Sequence, residues 1–104
     1  GIRIENTINT VDTMAMLHLR NNDADVHIAS IRQGSNDSDL GFFFEGDEKV
    51  RFTNDGKVGI GTIDPNRTLH VYGQFALSNS DNSGSFLMIP SANTNKIYSR
   101  ESRQ

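Results

Sequence analysis

The chain contains no cysteine, which excludes disulfide cross-links and cysteine-rich metal centres. Long apolar runs are also missing. Runs such as Phe42-Phe43-Phe44 and Phe86-Leu87-Met88-Ile89 fall far short of the ~20 residues of a helical span, and no secretory h-region opens the chain. Positive charge is scarce: 10 Lys and Arg against 13 Asp and Glu give a formal net charge of -3. Without a basic face to displace counterions from phosphate, no nucleic-acid partner is expected, and no membrane insertion.

Apolar residues themselves are few. Of 104 residues only 35% are hydrophobic, and the mean hydropathy is -0.52. One domain is the prior from this length. Ordering each residue costs roughly 1.5 kcal/mol, so a small chain with a thin apolar complement comes out near zero unless something staples it. Disulfides being excluded, oligomerisation is the expected staple. Gly1 stands where an initiator Met would, and no terminating motif follows Ser102-Arg103-Gln104, so the chain is expected to be a piece of a longer one.

What the chain does contain is dense turn chemistry, concentrated between Val50 and Gly73. A three-residue loop at Asn54-Asp55-Gly56, closed by Gly56 in the left-handed region, sets Phe52 opposite Val58 and Val50 opposite Ile60, with all four on one face. A two-residue Asp55-Gly56 loop would mix the faces, because a one-residue slip inverts every side chain. Gly59 and Gly61 leave the other face of that strand bare, where another backbone can approach closely. The chain turns again at Asp64-Pro65-Asn66 and resumes as Thr68-Leu69-His70-Val71-Tyr72, with Leu69 and Val71 inward and His70 outward.

Elsewhere, alternation marks strands at Ile2 to Glu5, at Leu17 to Arg20, where the turn at Asn21-Asn22-Asp23 favours a strand over a short helix for Met14 to Arg20, and at Gln74 to Leu77. Val26 to Ile31 is β-rich, Leu40 to Glu45 reads as a strand, and Phe86 to Ile89 is a nearly continuous apolar strand ended by Pro90. Residues 34–39 and 78–85 read as polar loops, and Gly46-Asp47-Glu48-Lys49 as a tight turn. The chain is therefore expected to be all-β, divided into shaft-like strands over 1–49, a hairpin module over 50–90 and an extended C-terminal tail over 91–104. His18 and His70 share an apolar, His, apolar pattern, but two copies do not make a solenoid.

Gly56-Lys57-Val58-Gly59-Ile60-Gly61-Thr62, Asp64-Pro65, Leu69-His70-Val71 and Gly73 together resemble a module of bacteriophage tail fibres and tailspikes, commonly found before a C-terminal intramolecular chaperone domain. Gly1 to Asn6 and Met16 to Asn22 are more loosely similar to the shaft of trimeric prophage fibres of the hyaluronan-lyase type. The resemblance implies short strands and hairpins in an intertwined homotrimeric fibre, triple-stranded β-helix or β-prism-like. It further implies a virion protein that supports or forms host-receptor binding, with a surface glycan as the ligand.

Within such a fibre Val50, Phe52, Val58, Ile60, Leu69 and Val71 are expected in the core or between subunits. The loops 34–39 and 78–85 are the candidate contact surfaces, through Asn36, Asp37, Asp39, Asn79, Asp81 and Asn82. Phe43 joins them: a strand that points Phe42 and Phe44 inward points Phe43 out, toward a neighbouring subunit or a sugar ring. No metal or other cofactor is expected. His18, His27 and His70 form no His-x-His pair, and the Asn79 to Gly84 loop has Pro90 where a calcium loop carries its bidentate Glu.

No spacing singles out a catalytic pair among Glu5, Asp12, Glu45, Glu48 and Glu101, with Tyr72 and Tyr98 as acids, and no nucleophile elbow or phosphate loop occurs. No enzyme activity is expected of this segment. Part of a trimeric polysaccharide lyase and a monomeric β-sandwich carbohydrate-binding module are the alternatives.

Overall fold

The computed structural model describes residues 1–81, 83–90 and 95–101, with side chains for 1–81, 83 and 84. Two compact units divide the chain, Gly1–His70 and Val71–Gln104. All regular structure among the described residues is β.

The first unit is built on a sheet whose strand order follows the chain: β1 (Met14–Asn21), β2 (Ala24–Gly34), β3 (Asp37–Phe44), β4 (Asp47–Phe52), β5 (Val58–Ile60) and β6 (Leu69–Val71). The pairings from β1 to β5 are antiparallel. Each reversal is tight because its turn residues accept positive φ: Asn22 at 57°, Asn36 at 57°, and Glu45 at 53° with Gly46 at 85°. Of these, Glu45-Gly46 has positive φ at both central residues, the type I′ geometry that matches strand twist, while Asn22 and Asn36 each supply one such residue.

The β4–β5 hairpin has the three-residue loop expected from register. Thr53 and Lys57 close it through a 2.9 Å backbone bond, Gly56 holds φ 90°, and Phe52 pairs with Val58 and Val50 with Ile60. A shift between Phe42 and Phe43 leaves Lys49 as the extra residue of a bulge in β4, and its carbonyl accepts a 2.9 Å bond from the Gly61 amide.

Several expectations are corrected. Residues 2–5 form no strand, and Ile2 is 96% exposed, because no neighbouring strand pairs with them. The reversal read at Gly46 to Lys49 sits one residue earlier, at Glu45-Gly46, so Asp47 already belongs to β4. Loop 34–39 shrinks to Ser35-Asn36, since Asp37 pairs with Gly34 and starts β3. Leu69 is exposed rather than inward, and His70 is half-buried, its Nδ1 accepting a 3.3 Å bond from the Asn66 amide.

The bare face of Gly59 is occupied from within the chain. A Cβ there would collide with the Thr62 carbonyl oxygen and lie 3.4 Å from Pro65 Cδ. The close approach foreseen for Gly59 is thus made by the chain's own 62–65 bend.

The second unit carries a sheet of β7 (Phe75–Ser78), β8 (Gly84–Pro90) and β9 (Asn95–Glu101), in that order. Both pairings are antiparallel, aligning Leu77 with Phe86 and Leu87 with Tyr98. β9 places a paired strand within the stretch read as an extended tail.

Gly59→Ala is expected to lower stability by about 1–3 kcal/mol in denaturant unfolding, because the atom in the way is backbone and cannot rotate aside. A neutral result would mean that the 62–65 bend does not pack on β5.

Candidate functional site

Residues paired across antiparallel strands share a face, and faces alternate along each strand. The registers from β1 to β5 therefore sort the sheet into two unlike surfaces. One carries Leu17, Ile28, Phe42, Val50 and Ile60 in a row, flanked by Ala15, Ser30, Leu40, Phe52 and Val58 on one side and Leu19, Val26 and Phe44 on the other. Phe42 and Phe52 pack with ring centroids 5.7 Å apart. This face is uncovered: Leu17, Leu19, Leu40, Phe44, Phe52 and Ile60 are 39–52% exposed.

The opposite face holds the tightest burial and a charge network. Arg51 aligns with Gly41 and Gly59; a Cβ at Gly41 would crowd Ile31 and the Glu48 carboxylate that Arg51 bonds, and one at Gly59 would meet the 62–65 bend. Its Nε and Nη2 each donate a 2.6 Å bond to Glu48, and its Nη1 lies 3.4 Å from Asp39 Oδ2. The other Asp39 oxygen accepts a 3.0 Å bond from the Asn54 amide, tying the buried cation to the β4–β5 loop. Arg51 and Asp39 are 7% and 8% exposed, and the bonded Glu48 carboxylate pushes the Arg51 pKa further up. Ala29 and Ile31 are buried on this side. The expected core set of Val50, Phe52, Val58 and Ile60 does share a face, but in the single chain that face is half-exposed.

Further along the charged face, His18 and His27 stand opposite each other with ring centroids 4.2 Å apart. His18 Nε2 bonds Asp25 Oδ1 at 2.7 Å, and Arg20 lies 3.9 Å from the same oxygen. Asp25 is held below the usual carboxylate range, first by the His18 bond and then by the positive charge of Arg20. Phe43 is on this face, opposite to Phe42 and Phe44 as alternation required. It is half-buried, 6.3 Å from the His27 ring, and so not a free aromatic platform.

The structure separates the other expected contact residues. Asn36 is exposed at its turn, and Asp37 accepts a 3.0 Å bond from the Asn54 side chain. Asp39 is corrected from exposed loop to buried strand residue, because Arg51 requires a counter-charge. A shallow depression of about 600 Å³ opens beside it, lined in part by Asp37, Asp39, Arg51, Asn54, Lys57 and Asp64.

Asn79 and Asp81 lie in the second unit, and their oxygens are turned inward on the loop. Asn79 Oδ1 accepts from the Gly84 amide at 3.1 Å and Asp81 Oδ1 from the Ser83 amide at 3.0 Å; the Ser83 side chain first, and then this amide, lowers the Asp81 pKa. Asn82 lies outside the described residues. Arg51 itself was missed by sequence reasoning. Its signal, an arginine set between two glycines, appears only once the three strands are aligned.

No family model, curated protein or solved structure matches the chain.

Arg51→Ala is expected to cost about 3–5 kcal/mol, since it strands two buried carboxylates, whereas Arg51→Met with Glu48→Gln and Asp39→Asn should recover most of the loss. Denaturant unfolding of both variants checks this. The Asp25 pKa is lower folded than unfolded, so the unfolded chain binds more protons through the carboxylate range and the Asp25 contribution is complete above about pH 4. That contribution falls away as pH drops through the folded value. Thermal melts from pH 6 to pH 2 should show a shallower acid decline for Asp25→Asn than for the parent chain.

Proposed function

We propose that this chain is a structural and adhesive segment of a viral tail fibre, assembling as a homotrimer that supports or forms a host-receptor surface for glycan. One observation carries the reading: the described side chains include just two fully buried apolar residues, Ala29 and Ile31, while large apolar side chains stand exposed across one sheet face. Domains are stable when a sheet's apolar face is covered by a second layer. The first unit has one layer, so the reading assigns the second to other subunits. The Gly56 to Thr62 motif adds the resemblance to phage fibres, and the β4–β5 register it specifies is present.

In this reading the fibre is a virion component acting outside the cell. The polar turns and the depression beside Asp39 face solvent, where hydroxyl-rich sugars find carboxylates, amides and a lysine to bond. The segment needs no catalytic group for that role.

Sedimentation equilibrium should return a mass near three times the 11.5 kDa of one chain, and labelled protein should bind host-envelope polysaccharide. A stable monomer that binds no cell-surface glycan would overturn the reading.

A further inference from the structure

Among the described residues of the first unit nothing forms a second layer over the apolar face of β1 to β5, and its composition indicates what fits it. Across three rows its interior is Leu, Ile, Val, Phe, Ala and Ser, with charge confined to opposite ends at Arg32 and Asp47. Its six most exposed side chains, Leu17, Leu19, Leu40, Phe44, Phe52 and Ile60, each keep 39–52% of their surface open. With the half-buried valines, Ile28 and Phe42 the patch approaches the ~800 Å² that each partner contributes to a standard stable interface.

We propose that this face docks against the same face of a second copy of this chain, a placement that rests on the assembling-fibre reading above. Two arguments select a copy over a foreign protein. The face is needed for the fold itself, because Ala29 and Ile31 alone are too small a core. A partner required for folding must be present wherever the chain is, and its own copies meet that condition.

The second argument is electrostatic. A charge-free interior meets itself without like-charge repulsion, which costs heavily at desolvated interfaces. The opposite face is unsuited to the role, being occupied by the Thr62–Pro65 bend, the Arg51 network and the His18–Asp25 pair.

The absence of cysteine makes the test clean, since one introduced thiol reports one position. Ile60→Cys lies on the apolar face and Arg20→Cys on the other, both exposed in a single chain. In the assembled protein a bulky maleimide should modify Ile60→Cys at least ten-fold more slowly than Arg20→Cys, and dilution to single chains should abolish the difference. Leu19→Lys, at a position 52% exposed in one chain, should lose the assembled mass and with it cooperative unfolding.

Equal reactivity of the two thiols in the assembled state, or an unchanged mass for Leu19→Lys, would overturn the proposal. An assembly of three chains with a freely reactive Ile60→Cys would remove this interface and leave the fibre reading standing. A protected face in a two-chain assembly that binds no glycan would do the reverse.

Discussion

Arg51 sits in the middle of a sheet, and its guanidinium must be fully paired wherever it is buried, since an uncompensated buried charge is among the costliest features a fold can contain. Glu48 and Asp39 pair it on one side of the sheet, where its cross-strand neighbours are Gly41 and Gly59. Asp39 in turn holds the Asn54 amide, so the β4–β5 loop is anchored to the buried charge, and the 62–65 bend closes over Gly59. With that side of β4 and β5 committed to charge and backbone, Val50, Phe52, Val58 and Ile60 are left on the other, while Ile31 and Phe43 share the charged side.

This inverts the usual order of a small domain, where the apolar face is the buried one. Inside one chain, the polar face of the sheet is better covered than the apolar face. The arrangement is intelligible when the folding unit is larger than the chain: the charge network fixes the register and orients the loop, and the apolar face remains for assembly. Buried ion pairs contribute little net stability against apolar replacements. The Arg51 network is therefore better understood as setting which face points where than as the main source of stability.

Legibility from sequence followed the range of the interactions. The β4–β5 hairpin was readable in detail because its loop and its two facing pairs lie within eleven residues, and only one register puts Val50, Phe52, Val58 and Ile60 together. The split of Phe42 and Phe44 from Phe43 was readable for the same reason, since alternation is a property of the strand itself. Residues 2–5 failed because alternation specifies a face but supplies no partner strand. Asp39 failed as a surface residue because its counter-charge lies twelve positions away on another strand.

By itself the sequence determined the all-β class, the tight hairpins and the two-sidedness of each strand, because turn dihedrals and side-chain alternation are decided by neighbours in the chain. It also determined that the chain is short of apolar residues to bury. Only the tertiary structure decided which face is buried. That choice depends on Gly41, Arg51 and Gly59 coming into line across three strands, with Glu48 and Asp39 close enough to satisfy the charge, and no local pattern encodes that alignment.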